Sequence, residues 1–153
     1  MLVTVWRHGE AGSAPRDRDR ALTTFGIQAL SKAVLRFEER THDKLLPSVK
    51  SVLSSPWLRT LQTADIVGKA LAVSPTAEAW LAPSAVLTDV EAVFERQEMH
   101  VLLVSHQPFV SELLWYWLDS TALAPLAPGG WASVAIAGHG RGLGTVANSE
   151  VQI

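Results

Sequence analysis

Two basic side chains and a glycine, Arg7-His8-Gly9, follow directly on the apolar run 2–6 near the start of the chain. The planar guanidinium of Arg7 matches the oxygen atoms of a phosphate group. A ring nitrogen of His8 can act as a nucleophile or bind a metal. Gly9 lets the backbone turn sharply or approach a ligand closely. The alternative is a strand end whose Arg and His only face solvent, since short motifs also occur by chance.

Two further basic residues stand at similar places later in the chain. Arg59 lies in the first turn of a predicted helix that follows the Ser-Ser-Pro sequence at 54–56. A cation there opposes the helix dipole, but it would suit an anion that the same helix end attracts. His106 follows the apolar run 100–105, and Pro108 suits the first position of the next helix. Taken alone, Arg59 is more simply a surface residue.

These residues would meet in one cleft if the strands predicted at 2–6, 49–54 and 100–105 were parallel. The carboxyl ends of parallel strands lie at the same edge of a sheet, where open α/β sheets bind ligands. A cleft with two Arg, two His and no nearby fixed carboxylate favours an anion. Zinc is the competing ligand, but it usually takes three or four close ligands. The chain has no Cys and no His-x-x-x-His pair, so we expect no metal.

Amphipathic helices are predicted between the strands. The periodicity indicates one helix that begins after the N-cap Thr23, a second that starts near Arg59, and a third over 83–97. Strands are also predicted at 74–80, 131–137 and 144–148. The apolar positions of the first two helices are Ile27, Leu30, Val34 and Phe37, then Leu58, Leu61, Ala64, Val67 and Leu71, with Arg59 outside the second stripe.

The remaining polar segments are predicted to be loops. Arg and Asp alternate over 16–20, which favours a solvated loop, although Arg18 or Arg20 could lean over the cleft. The Gly-rich link 138–142 is predicted to be a hairpin turn, because no helix follows that could help bind a phosphate. The three other histidines are expected at the surface or in packing contacts: His42, His100 and His139.

Length and composition favour a single α/β domain over 1–153. The net charge of −2 argues against a broad nucleic-acid interface. The N-terminus has no signal-peptide pattern, and no apolar run approaches the roughly 20 residues of a membrane span. The absence of Cys fits a reducing compartment. We therefore expect a cytoplasmic protein with no membrane contact.

The motifs resemble those of the histidine phosphatase superfamily, also called phosphoglycerate-mutase-like, in the same order over nearly the whole chain. They are Arg7-His8-Gly9 after a strand, Ser54-Ser55-Pro56-x-x-Arg59-x-x-Gln62-Thr63-Ala64, and Ser105-His106. Three further features are similar to SixA-type phosphohistidine phosphatases: the compact length, Arg20-x-Leu22-Thr23-x-x-Gly26, and His106-x-Pro108-x-Val110.

The resemblance implies a fold, a mechanism and a set of site residues. The fold would be a three-layer α/β/α sandwich around a mostly parallel sheet. His8 would be the nucleophile and carry the phosphoryl group, with no metal or other cofactor. The three equatorial oxygens would be held by Arg7, Arg59 and His106, and further substrate contacts would come from Gly9, Arg20 and Ser105.

The chemistry of phosphoryl transfer is consistent with these roles. The reaction needs positioning and neutralisation of oxygen charge more than covalent help from the protein. Two guanidinium groups and an imidazolium can supply that charge without magnesium. A neutral His8 would attack through one ring nitrogen, and its other nitrogen should donate to a backbone carbonyl.

One departure from the family pattern concerns the general acid. Related SixA-type sequences have Leu-Pro-Glu-Leu in the segment after the second helix, and here Trp80 falls where that Glu would be. Glu78 is near but out of register, which leaves it as the possible acid. We expect a phosphatase that releases inorganic phosphate from phosphohistidine on a protein. The alternatives are a phosphatase of small phosphorylated metabolites and a non-catalytic phosphate-binding domain.

Overall fold

A computed structural model describes residues 1–150 and shows a six-stranded sheet with helices on both faces. The strands are β1 (Leu2–Arg7), β2 (Ser51–Ser54), β3 (Pro75–Ala77), β4 (His100–Ser105), β5 (Trp131–Ile136) and β6 (Gly144–Ser149). The helices are α1 (Thr24–Asp43), α2 (Leu58–Leu71), α3 (Glu91–Glu95) and α4 (Phe109–Leu118). Short 3₁₀ turns cover Asp17–Asp19, Ala79–Leu81 and Leu87–Val90.

The sheet order is β3-β2-β4-β1-β5-β6, and the first four strands are parallel. Strands β5 and β6 are antiparallel to their neighbours and are joined through the Gly-rich link, which confirms the hairpin. The register pairs Arg7 with Ser105 and Ser54 with Val104. Consequently the residues that follow β1, β2 and β4 emerge side by side at one edge of the sheet.

Alternate residues of the central strands face two separate apolar cores, which confirms the three-layer sandwich. On one face, Leu102 and Val104 pack with α1 and α2, together with the buried rings of Trp6, Phe37 and Trp131. On the other face, Val101 and Leu103 pack with α4 and with the segment that contains α3. Strands buried on both faces need continuous apolar runs, and β1 and β4 have them.

The start of α1 follows the predicted cap. The Thr23 hydroxyl accepts a hydrogen bond from the Gly26 amide at 2.9 Å, and Leu30, Val34 and Phe37 are buried as expected. The prediction for Ile27 was wrong, because its side chain is 43% exposed and Ala33 takes a buried position instead.

Two other helix predictions also differ from the structure. The helix predicted over 83–97 is a 3₁₀ turn followed by the five-residue α3, and only Val90 and Val93 are buried there. Around them, Ala85, Leu87 and Phe94 are partly buried and pack against the same core. On α2, Ala64 and Val67 are buried as predicted, but Leu58, Leu61 and Leu71 are only half-buried, and Arg59 and Thr63 are buried instead. No helix within 1–150 is long and apolar enough to cross a bilayer.

Candidate active site

Four basic side chains from three separate segments meet at the carboxyl edge of the sheet. Arg7 ends β1, His8 follows it, His106 follows β4, and Arg59 lies in the first turn of α2. The rings of His8 and His106 are 5.3 Å apart between centroids, and Arg59 Nε is 3.3 Å from His8 Nε2. The structure therefore brings together the four residues that the sequence predicted to share a cleft.

The hydrogen bonds of His8 fix its tautomer. Nδ1 lies 2.8 Å from the Gly9 carbonyl oxygen, which can only accept, so Nδ1 carries the proton. The lone pair of Nε2 then accepts from Arg59 Nε–H. Burial, followed by the charges of Arg59 and Arg7, lowers the pKa of His8 to about 4. At neutral pH, His8 is an uncharged imidazole with a nucleophilic nitrogen that faces a guanidinium.

His106 is buried and has one ring nitrogen without a partner. Its Nε2 is 2.8 Å from the Ser55 hydroxyl, whereas Nδ1 has no hydrogen bond within 1–150. The Ser55 oxygen also accepts from the Trp57 amide at 3.3 Å, so its own proton can point to His106 Nε2. That arrangement places the His106 proton on Nδ1, where it is free to donate to a ligand.

The imidazolium expected at His106 during phosphoryl transfer stays a prediction, because the ligand-free site disfavours the charged ring. Burial, together with the charges of His8 and Arg59, lowers the pKa of His106 to about 3. The ring is therefore neutral at physiological pH until an anion binds beside it. Binding a phosphate dianion would raise this pKa and favour the charged ring, because an opposite charge nearby stabilises the charged form.

Arg7 supplies a second buried donor without a partner. Its Nη1 donates to the Leu126 carbonyl at 2.9 Å, but Nε is buried and makes no hydrogen bond to any described residue. Burial lowers the pKa of the Arg7 guanidinium, which still stays charged in proteins. Buried donors are normally satisfied. Arg7 Nε and His106 Nδ1 are thus two buried donors at this edge without a partner among residues 1–150.

No family model matches this sequence, and no curated protein matches it. Solved structures do match. The protein histidine phosphatase SixA, solved with tungstate, is 28% identical; the alignment covers 95% of this chain and 94% of that chain, with a TM-score of 0.82. At this level of identity the chain resembles the histidine phosphatases in fold, as its sequence motifs predict.

Solved structures of lower sequence identity share the fold of this chain. A mycobacterial glucosyl-3-phosphoglycerate phosphatase solved with vanadate is 18% identical over 88% of this chain and 92% of that chain, with a TM-score of 0.66. A phosphoserine phosphatase from Entamoeba histolytica, solved with 3-phosphoglyceric acid, is 13% identical over 99% and 97%, with a TM-score of 0.70. The three solved structures named above are phosphatases, and this chain shares that enzyme class with them.

The expectation that no fixed carboxylate lies near the cleft was wrong. The loop before α1 brings Asp17 over the first turn of α2, and Arg59 donates to its backbone oxygen at 2.8 Å and to its carboxylate at 3.3 Å. Asp17 also accepts from Arg20 at 3.0 Å. Sequence reasoning missed this contact because the alternating charges of the loop indicated only solvent exposure.

Arg18 and Arg20, the two loop arginines that could lean over the cleft, differ in exposure. Arg20 is half-buried, donates from Nε to the Gly12 carbonyl at 2.7 Å, and lies close enough for its charge to lower the pKa of His8. Arg18 is exposed. A direct contact of Arg20 with substrate stays a prediction, because its guanidinium is bonded to the loop in this structure.

Gly9 and Ser105 support the site from below the cleft. A Cβ on Gly9 would lie 2.7 Å from Leu30 Cδ1, so the glycine allows α1 to pack close behind His8. The Gly9 amide donates to the Thr63 hydroxyl at 3.1 Å. The buried Ser105 hydroxyl donates to the Leu81 carbonyl at 2.7 Å. Neither residue has a free polar side-chain group that faces a ligand, and their roles in substrate binding stay predictions.

Glu78 lies at the same edge, directly after β3. Its amide donates to the Ser54 carbonyl at 2.7 Å, and its carboxylate accepts from the indole N–H of Trp80 at 3.1 Å. The half-buried Glu78 therefore has a partner and is held beside the Trp80 ring. Its role as an acid stays a prediction.

Two side chains that the sequence analysis did not assign also border the cleft. Ser55 contacts His106, as described above, and the Ser-Ser-Pro sequence was the signal for it. The guanidinium carbon of Arg59 lies 5.0 Å from the centroid of the Trp57 ring, and that ring is 5.6 Å from the His106 ring. Cation–π contact with Trp57 restricts Arg59 further. Among residues 1–150, no group of three or more His, Asp or Glu side chains is placed to hold a metal ion.

Proposed function

We propose that this protein hydrolyses phosphohistidine on a phosphorylated protein, without a metal, through a phosphoryl intermediate on His8. The observation that carries the proposal is the state of His8. Its Nδ1 proton is held by the Gly9 carbonyl, and its Nε2 lone pair faces the cleft beside Arg59. The SixA structure with tungstate, a tetrahedral oxyanion, supports the same use of this cleft.

The first step is attack by His8 Nε2 on phosphorus. A bond forms between Nε2 and phosphorus, the bond from phosphorus to the substrate nitrogen breaks, and its electron pair goes to the leaving imidazole. Arg7 and Arg59 stabilise the charge on the transferring oxygens, because preorganised donors act strongly in a site with little water. His106 Nδ1–H supplies a further donor.

The second step is hydrolysis of the phosphoryl group on His8. Water attacks phosphorus, the electron pair of the breaking bond returns to Nε2, and the proton released by water passes to solvent or phosphate. The carbonyl of Gly9 keeps the imidazole in one orientation through both steps. Positioning of this kind converts the reaction into an effectively intramolecular process.

The protein phosphohistidine substrate is supported by the leaving group and by the open edge of the site. Imidazole with an ordinary pKa of about 6.5 can be protonated by solvent and leave as a neutral ring. An alkoxide needs a positioned acid, which contributes about 10²–10⁴ in rate. Between α2 and β4 the chain has only β3, two 3₁₀ turns and the five-residue α3, so no large insertion covers the edge.

The test of this proposal is to trap the intermediate. His8→Ala should lose essentially all turnover, and quenched wild-type enzyme should carry an acid-labile, base-stable phosphoryl group on His8. The exposed His42 provides the matched control, since His42→Ala should keep both turnover and adduct. Activity should also survive chelation. Near wild-type turnover in His8→Ala, or a large loss that zinc or magnesium restores, would contradict the mechanism.

A second candidate is a phosphomonoesterase of small metabolites with the same nucleophile. The position of Glu78 favours it, since this carboxylate lies at the edge where the other site residues emerge. Initial rates on a phosphohistidine phosphotransfer domain, a sugar phosphate and 3-phosphoglycerate would separate the two. Faster turnover of either metabolite would favour the second candidate.

A further inference from the structure

Arg59 is already bound to an anionic group in the ligand-free protein. Its Nη1 donates to the Asp17 backbone oxygen at 2.8 Å, and its Nη2 contacts the Asp17 carboxylate at 3.3 Å. Only 6% of the Arg59 side chain is exposed. Its third nitrogen, Nε, faces His8. A substrate phosphate that binds the terminal nitrogens of Arg59 must therefore compete with Asp17.

The same carboxylate also binds Arg20. Asp17 Oδ1 accepts from Arg20 Nη1 at 3.0 Å, so one acidic group is shared by two guanidinium groups beside His8. Hydrogen bonding by Arg20, with further help from Arg59, lowers the pKa of Asp17. The carboxylate is therefore ionised at neutral pH and cannot serve as a proton donor to a leaving group.

Asp17 is bound loosely enough to be displaced. Its side chain is 55% exposed, and solvent-exposed ion pairs contribute little to stability because water screens them. The buried Arg59, in contrast, stays fixed by His8 and by the ring of Trp57. The Asp17 carboxylate is therefore the group that can move out of this site, while the Arg59 guanidinium stays in place.

We propose that Asp17 is a specificity-determining residue, whose carboxylate competes with the substrate phosphate for Arg59 and disfavours substrates that carry a second anionic group beside that phosphate. This inference rests on the proposed function, in which the phosphoryl group binds between His8 and Arg59. Protein phosphohistidine places an imidazole next to the phosphoryl group and adds no negative charge there. A phosphoglycerate adds a carboxylate, which Asp17 repels. Free phosphate, the product, is also bound less tightly.

A purely structural role for Asp17 predicts the opposite sign. If Asp17 served only to hold the loop and orient Arg59, removing its charge would loosen the arginine and weaken anion binding. If Asp17 competes, the same substitution strengthens anion binding. Asp17→Asn is suited to this test because it keeps the shape of the side chain and the backbone oxygen that binds Arg59.

The first measurement is the dissociation constant of inorganic phosphate by titration calorimetry at low and high salt. The matched control is Asp19→Asn, because Asp19 belongs to the same 3₁₀ turn and its carboxylate pairs with the exposed Arg16, at 2.7 Å, and with no other cation that the structure describes. We expect Asp17→Asn to bind phosphate about two- to tenfold more tightly than wild type, mostly at low salt. Asp19→Asn should change the constant much less. Equal or weaker binding by Asp17→Asn, or an equal gain in Asp19→Asn, would overturn the inference.

The second measurement is kcat/KM on 3-phosphoglycerate and on a phosphohistidine protein. Asp17→Asn should raise the ratio of the first to the second, mainly through KM, and a fall or no change in that ratio would overturn the specificity role. Failure of the proposed function is distinguishable from either result. It would show as a missing phosphoryl adduct in the wild-type enzyme, whereas the phosphate titration tests Asp17 without turnover.

Discussion

The two ends of β4 each carry a buried histidine, and the two differ in whether the ring nitrogens have partners. At the amino end, His100 Nδ1 donates to the Pro47 carbonyl at 2.8 Å, and Nε2 accepts from the Thr4 hydroxyl at 2.7 Å. The Thr4 oxygen in turn accepts from Ser133 at 2.6 Å. At the carboxyl end, one ring nitrogen of His106 lies beside Ser55, and the other has no partner among residues 1–150.

The hydrogen bonding of the two rings shows how structural and functional polar groups can be told apart within one sheet. Burial lowers the pKa of both histidines, so neither burial nor the direction of the shift distinguishes them. A fully bonded ring, such as His100, holds β1, β4 and β5 together through side chains. A buried ring with an unused donor has a stability cost that a ligand can remove. The carboxyl ends of the strands, where His106 lies, are also where such sheets bind ligands.

The largest expected effects concern the carboxyl edge. His106→Ala and Arg59→Ala should each lower turnover by about 10²–10³, the loss seen when one preorganised charge-stabilising donor is removed. Folding should change little, because both groups face the cleft. Steady-state rates and melting temperatures check this. Full activity in both variants would show that the cluster does not hold the phosphoryl oxygens.

A substitution at the amino end of β4 should instead lower stability and leave turnover nearly unchanged. His100→Ala removes a ring that satisfies Thr4 and Pro47 and leaves a small cavity, so it should cost about 2–4 kcal/mol in the free energy of unfolding. Turnover by the folded fraction should stay near the wild-type value. Urea unfolding and rates measured well below the melting temperature test this together. If His100→Ala lost turnover as severely as His106→Ala, the comparison between the two ends would fail.

The fold was largely predictable from the sequence, because strand ends and helix caps have strong local signals. The buried run of β4 and the Thr23 cap are examples. The orientation of α2 was not predictable in this way. The first turns of α2 turn Arg59 and Thr63 inward, toward a polar cleft, and only Ala64 and Val67 further along face an apolar core. A hydrophobic stripe cannot reveal a buried face that is polar.

The site was predictable where a residue follows directly on a strand. Arg7, His8 and His106 depend only on the parallel register, which the apolar runs indicated. Asp17 was missed because its contact with Arg59 depends on the path of a loop between two distant elements. The state of His106 was also missed, since its lowered pKa comes from tertiary burial beside His8 and Arg59.

The pH dependence of stability tests the property that the histidines at both ends of β4 share, which is a pKa lowered by burial. A histidine whose pKa is lower in the folded state is neutral there while the unfolded chain binds a proton, so stability falls on acidification below the unfolded pKa of about 6.5. The loss continues to about pH 4 for His8 and about pH 3 for His106. Each such histidine adds a slope of about 1.4 kcal/mol per pH unit within its window.

Replacing one of these histidines should flatten that slope. His106→Gln should lose less unfolding free energy than wild type between pH 6 and pH 5 by about 1 kcal/mol, measured by urea unfolding. The exposed His42 is the control, and His42→Gln should follow the wild-type curve. An unchanged slope in His106→Gln would show that His106 is not held neutral in the folded protein.

The smallest expected effect is that of replacing Glu78. This substitution tests whether a side chain with a hydrogen-bond partner is structural at the carboxyl edge as well. The Glu78 carboxylate accepts from the Trp80 indole at 3.1 Å, so it resembles His100 in being partnered although it lies beside the cleft. Protein phosphohistidine needs no enzymatic acid, because its leaving imidazole can be protonated by solvent. Glu78→Gln, which keeps an acceptor for Trp80, should therefore cost less than about tenfold on phosphohistidine, below the range of a general acid. The measurement is kcat on a phosphohistidine protein and on a sugar phosphate, compared with wild type. A large loss, together with efficient wild-type turnover of the sugar phosphate, would identify Glu78 as the acid, favour the metabolite phosphatase, and show that a bonded carboxylate at this edge can still be catalytic.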